Sequence, residues 1–218
     1  MSKQQIAAVF DFDRTLTRDD SLLQFIYYLS KCYPLSALYF SVCVPPLTAL
    51  YGLGLLSKEQ MKEHTFRSLG FVPRSRWESL FEGFHRDLQK RQYLPRALAQ
   101  VRWHREQGHL LVLASASVEL YLRAIQQGLG FDVLLGTPTT LQNGHIRVGT
   151  NCYAAEKVRR LQQTDWFSRI DWPSSFAYSD HPSDLPLLEL CGHPVVANPS
   201  PALRQLAFAR GWPIVDWK

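Results

Sequence analysis

Short apolar runs alternate with helical patterns along most of this chain, and that alternation restricts its fold more than any other feature. The runs are Ile6–Phe12 (IAAVFDF), His109–Ser115, Phe131–Thr137, Ser174–Asp180, His193–Pro199 and Trp212–Trp217. Between several of them lie patterns of helical period: Pro95–Gln107, Ser117–Leu129, Ala154–Phe167 and Ser200–Arg210. Strands separated by helices have to return by crossover and pair in parallel. The expected fold class is therefore α/β, a Rossmann-like parallel sheet covered by helices. Gly130 suits the left-handed residue that ends a helix before the run at Phe131. Asn143-Gly144, between alternating flanks, predicts a tight hairpin.

Residues 20–91 break the rhythm. They show no central strand and read as several helices, so the expected organisation is an α/β core of residues 1–19 and 92–218 with an all-helical insert at 20–91. At 218 residues the chain is long enough for a core domain with a smaller insertion. Inside the insert, Cys32–Ser57 carries no charged residue. Its length would cross a bilayer, but Pro45-Pro46 interrupts helical hydrogen bonding and predicts two shorter apolar helices. Burial in the core of the insert, contact with a membrane surface and a true span all remain open for this segment.

Composition excludes some classes. The formal charge of +5 favours anionic partners in general, including an anionic membrane surface. No Lys/Arg block or basic-aromatic interleaving occurs, so no nucleic-acid partner is expected. Cys32, Cys43, Cys152 and Cys191 form no CxxC pair and no zinc-like spacing; buried free thiols of a reducing compartment are expected. The N-terminus lacks the apolar segment of a secretory signal, which points to a cytoplasmic location.

The chemistry gathers where strands end. Asp11 and Asp13 close the first run two residues apart, so both can face the crevice beyond the strand's carboxyl end. Two carboxylates held together repel unless a cation or divided labour relieves them. Mg²⁺, a hard ion held by carboxylates and substrate phosphate, meets that need. A second acid pair, Asp180 and Asp184, follows the strand at Phe176 and would share the ion if the two strand ends are neighbours. Ser115 ends another strand, and Lys157 stands early in a helix where it could neutralise a phosphoryl group. Plainer roles stay open: strand-end acids and serines suit turns, Asp184 and either Asp19 or Asp20 suit helix caps, Ser117 looks like the N-cap of the next helix, and Lys157 could be a solvated helix lysine.

Taken in order, DFDRT at Asp11–Thr15, LLVLAS ending at Ser115, Lys157 and the Asp180–Asp184 pair resemble the four motifs of the haloacid dehalogenase superfamily of phosphohydrolases. The position of the insert resembles the C1-capped members, and the tail resembles subfamily IB, which includes phosphoserine phosphatase-like and phosphatidylglycerophosphatase C-like enzymes. The resemblance implies that Asp11 is the nucleophile and Asp13 the general acid and base. It implies a Mg²⁺ cofactor held by Asp11, the Asp13 carbonyl and Asp180, with Asp184 orienting metal-bound water or Lys157. Ser115 and Lys157 would bind the phosphoryl group, and Thr15 would support the turn and Asp13. Asp20 and Arg14 would meet substrate, although relatives often have glutamate and glycine at these two places. Ala116-Ser117 also replaces the Gly-Gly usual in phosphoserine phosphatases. The expected function is Mg²⁺-dependent hydrolysis of a small soluble phosphate ester through an aspartyl-phosphate. A lipid phosphate at a membrane, or a catalytically idle binding protein, are the alternatives.

Overall fold

Every residue of β1 (Ala7–Phe10) is buried, as a strand covered on both faces requires. The computed structural model describes residues 4–218, so the first three residues of the expected core segment lie outside the described residues. β1 pairs in parallel with β2 (Leu110–Val118) on one side and β6 (Phe176–Ser179) on the other. β3 (Val133–Thr137) extends the sheet beyond β2; β7 (His193–Ala197) and β8 (Ile214–Val215) extend it beyond β6. The six-stranded order is β3-β2-β1-β6-β7-β8. Chain order reverses between β1 and β6, and a ligand crevice forms beyond the carboxyl ends of strands at such a switch point. The sequence-based expectation of a parallel Rossmann-like sheet holds.

Alternation along β1 splits the core. Ala8 and Phe10 face one side, with Leu111, Leu113 and residues of α5 (Pro95–Glu106) and α6 (Glu119–Leu129). Val9 faces the other, with Val112, Ala177 and residues of α7 (Ala155–Gln162), α8 (Leu185–Leu190) and α9 (Pro201–Arg210). Phe10 stacks on Tyr178 with ring centroids 4.4 Å apart, which ties β1 to β6 just below the crevice. Gly130 ends α6 at φ 70°. Asn143 and Gly144, both at positive φ, turn the hairpin of β4 (Thr139–Gln142) and β5 (His145–Val148).

Between β1 and β2 lie α1 (Ser21–Cys32), α2 (Pro34–Gly52), α3 (Lys58–Phe66) and α4 (Trp77–Arg91), with short 3₁₀ turns before α4. The chain leaves and re-enters the core at one point: Thr17 and Tyr93 form an antiparallel bridge, and Leu94 N–H donates to Leu16 O at 3.0 Å. Aromatic rings, Phe25, Phe66, Phe84 and the core's Tyr121, join the helices to the sheet domain.

Two expectations need correction, on the form of the apolar segment and on the cysteines, and one open point, the burial of that segment, is decided. The apolar segment is one continuous helix through Pro45-Pro46, not two. Both prolines and the preceding Ser41 and Val42 are exposed, so water can satisfy carbonyls that the missing N–H groups leave free. Nor is this helix buried: only Ser36 and Phe40 are, while Leu38 and Val42 are 61% and 63% exposed. The four cysteines are free, but only Cys152 and Cys191 are buried; Cys32 is exposed and Cys43 half-buried.

Candidate active site

The first loop is built to present its carboxylates. Asp11 N–H donates to Tyr178 O at 2.9 Å, continuing the β1–β6 ladder one residue past the strand. The chain then turns through Arg14, at φ 61°, a left-handed conformation that favours glycine. Asn198 Nδ2 stabilises that turn by donating to Arg14 O at 2.8 Å. From the neighbouring strand end, Ser179 leads into Asp180 and a 3₁₀ turn bearing Asp184.

The two loops meet. Asp11, Asp13, Arg14, Asp20, Lys157, Asp180 and Asp184 all line one open cavity of about 280 Å³, together with Ala116, Tyr153, His181 and Ser183. Lys157, in its wall, is buried. Its Nζ donates to Asp11 Oδ1 at 2.7 Å and to Asp184 Oδ2 at 2.8 Å. Burial opposes the charge of Lys157, but the carboxylates of Asp11 and Asp184 outweigh it and raise the pKa, so the ammonium persists. Burial raises the Asp11 pKa, with Lys157 opposing. Thr15 Oγ1 donates to Asp11 Oδ2 at 3.2 Å; the threonine thus supports Asp11, where Asp13 was expected, because the turn points Asp13 away toward α1.

Asp13 is gripped from both sides of the root of the insert. Ser21 N–H, at the start of α1, donates to Oδ1 at 2.6 Å, and Ser117 Oγ donates to Oδ2 at 2.8 Å. Ser21 Oγ, Ser117 Oγ and Tyr121 Oη form a buried hydroxyl cluster behind it, with both oxygen pairs 3.0 Å apart. Burial, and next the charge of Asp20, push the Asp13 pKa up to about 7. Ser117 is therefore not the helix N-cap: β2 runs on to Val118, and the hydroxyl is committed to Asp13. Ser115 is buried and accepts Ser117 N–H at 3.0 Å; it does not line the cavity.

Asp20 caps α1, accepting from Leu22 N–H at 2.9 Å and Leu23 N–H at 3.2 Å, and still lines the cavity. Asp184 Oδ2 accepts from Ser179 Oγ at 2.7 Å, while its Oδ1 is buried with no partner among the described residues. Burial, then the charges of Asp11 and Asp184, push Asp180 up to about 7, with Arg14 opposing. An orphaned carboxylate oxygen beside a carboxylate starved of positive charge fits a hard cation. Among the described residues, however, no three acidic, histidine or cysteine side chains close on a common point. The Lys157 ammonium lies between Asp11 and Asp184 and pairs with both. A cation here would draw its remaining oxygens from main chain, substrate and water.

Residues in and beside this cavity also carried no sequence signal. Lys62 of α3 donates to Ala116 O at 2.7 Å and to Asn151 Oδ1 at 2.6 Å, reaching across from the insert. Tyr153 and Ser183 complete the wall. Nothing local in KEQMKEH distinguishes Lys62 from a solvated helix lysine.

Comparison with known proteins bears on the fold and the family. A crystal structure of a Bordetella pertussis Tohama I protein of unknown function is 29% identical and superposes with a TM-score of 0.83 over 99% of this chain and 100% of that one. A phospho-aspartyl intermediate analogue of phosphoserine phosphatase, 16% identical, shares the fold with a TM-score of 0.62 over 99% of this chain and 95% of its own. A histidinol-phosphatase of Neisseria meningitidis serogroup C is 27% identical over 226 residues, spanning 97% of this chain and 98% of that protein. The family profile for haloacid dehalogenase-like hydrolases matches residues 8–189, from β1 through α8 and including both acid pairs, Ser115 and Lys157, and the chain belongs to that family.

Proposed function

We propose that this protein hydrolyses phosphate monoesters through a phospho-aspartate on Asp11, the helices of residues 20–91 forming a cap over the site. The observation that carries this reading is the junction of Asp11, Lys157 and Asp184 in the cavity that also holds a protonatable Asp13. Asp11 attacks phosphorus, the bond from phosphorus to the leaving oxygen breaks, and Asp13 gives its proton to that oxygen. The Asp13 carboxylate then takes a proton from water, the water oxygen attacks phosphorus, and Asp11 leaves as a carboxylate with release of phosphate. Lys157 offsets negative charge on the phosphoryl oxygens and holds Asp11 in place. Asp184 fixes Lys157, and Arg14 is positioned for substrate. Ser115 contributes through Ser117, whose N–H it accepts. Asp11, the Asp13 carbonyl and Asp180 would hold Mg²⁺, which supplies positive charge to the phosphoryl group.

Turnover of p-nitrophenyl phosphate with Mg²⁺ tests the proposal. Wild-type protein is expected to release nitrophenol, EDTA to abolish the release, and Asp11→Asn to lower kcat by about a thousandfold or more. Absence of turnover with Mg²⁺, Mn²⁺ or Co²⁺ would favour an idle binding protein. Full activity in Asp11→Asn would remove it as nucleophile.

The substrate of the first reading is a small soluble ester. A second reading, an ester at an anionic membrane surface, is favoured by the exposure of α2. No acidic residue falls between Asp20 and Glu59, and Lys31 and Lys58 bound the uncharged segment. Apolar side chains on one helix between cations match the chemistry of an anionic interface. Co-sedimentation with phosphatidylglycerol vesicles at low salt checks it; protein that stays in the supernatant defeats the membrane reading.

A further inference from the structure

Beyond Asp13 the reaction cavity continues into a second one of about 440 Å³ beneath the helical insert. The two share Asp13, Asp20, Ala116 and Tyr153. The apolar part of the second wall comes from Leu22 of α1, Tyr51 at the end of α2 and Met61 of α3. The same α3 supplies two ammonium groups. Lys58 Nζ lies 4.3 Å from the centre of the Tyr153 ring. Lys62 is half-buried, and both its acceptors, Ala116 O and Asn151 Oδ1, are neutral. An ammonium has three donors, and the third has no partner among the described residues.

The acids of the wall are engaged elsewhere. Asp13 is held by Ser21 and Ser117, and Asp20 accepts the first N–H groups of α1. Neither forms an ion pair with Lys62 within 4.0 Å. Burial pushes Lys62 down to about 8, Glu59, Asp13 and Asp20 opposing. A cation stripped of water and given only neutral acceptors gains more from a bound anion than a solvated one does. The mechanism above gives this group no task, although the cavity it lines shares Asp13 with the reaction cavity.

We propose that this annex receives the leaving alcohol, and that Lys62, aided by Lys58, selects an alcohol with its own anionic group on an apolar body. The inference rests on the phosphate-monoester reading. Leu22, Tyr51 and Met61 take the body, and the free donor of Lys62 takes the anion. The rival role for Lys62 is a structural clasp between α3 and the end of β2.

Three esters of one ring separate these roles: phenyl phosphate, 4-carboxyphenyl phosphate and 4-(aminomethyl)phenyl phosphate, each followed by release of inorganic phosphate. The readout is the ratio of kcat/KM for the carboxylated ester to that for phenyl phosphate, compared between proteins so that each ester's intrinsic reactivity cancels. Replacing Lys62 by Met is expected to lower this ratio about tenfold or more, as loss of a charged hydrogen bond does. Lys62→Arg should restore most of it, and Lys58→Met, at an exposed position, should lower it by a smaller factor. A Lys62→Met protein in which all three esters fall together, ratio unchanged, has lost only a clasp and overturns the proposal. So does an aminomethyl-to-phenyl ratio that Lys62→Met lowers rather than raises. If no ester is hydrolysed by wild-type protein, the hydrolase reading fails first and takes this one with it.

Discussion

Asp13 takes its two hydrogen bonds from elements on opposite sides of a junction, Ser21 from the insert and Ser117 from β2. Both bonds favour the ionised carboxylate, while burial and Asp20 favour the neutral acid, and the balance leaves it near 7. Removing one donor has a definite sign. Ser117→Ala should raise the Asp13 pKa, because the anion loses a partner. Where Asp13 must be protonated to serve the leaving group, kcat/KM falls as pH rises through that pKa, so its alkaline limb should move to higher pH. The measurement is a kcat/KM profile from pH 5 to 9, with less than about a tenfold change at the optimum expected for a positioning hydroxyl. An unmoved limb would show that Ser117 does not act on Asp13.

At the scale of elements, α2 departs from soluble-protein habit. Its apolar side chains run all round the helix, and a helix of that kind is ordinarily buried, yet Leu35, Leu38, Val42 and Leu50 are exposed. Leu38→Glu with Val42→Glu should leave the fold intact, since surface substitutions usually alter stability by about 0.5 kcal/mol or less. The same pair should abolish sedimentation with anionic vesicles. Thermal melting and vesicle binding read the two halves separately, and undiminished binding would take α2 out of the contact. The sequence marked this segment clearly, by its missing charges. It could not tell whether partners cover it, because burial depends on what packs from elsewhere in the chain.

For the whole molecule, the site sets acidic groups against stability. The Asp180 pKa rises from its ordinary 3.8 to about 7, so between those limits the folded protein binds more protons than the unfolded one. By linkage, stability then declines as pH rises through that window, and the deficit persists above it. Asp180→Asn should therefore raise the melting temperature of chelator-treated protein at pH 8 by several degrees. The gain should shrink toward pH 4 and vanish below about pH 3, where Asp180 is neutral in both states. Calorimetry across that range checks both the direction and the pH dependence. A divalent ion that binds the folded state should stabilise wild type more than the variant.

Much of the sheet was legible because its evidence is local. Periodicity, the Gly130 stop and Asn143-Gly144 are properties of a few adjacent residues, and short-range sterics decide them wherever they occur. The spacing of Asp11 and Asp13, and the following of Asp180 by Asp184, likewise declared strand-end chemistry without any knowledge of neighbours. What only the tertiary structure decided is which groups meet. Strand order at the β1–β6 switch brings loops nearly the whole chain apart into one cavity. It puts the Lys157 ammonium between two carboxylates, turns Thr15 to Asp11 and Ser117 to Asp13, and reaches Lys62 in from the insert. Backbone preference acts over a turn of helix or a hairpin, whereas electrostatics and packing act through space. The sequence alone therefore determined the elements and their reactive ends, and three-dimensional closure determined the partners that set each charge.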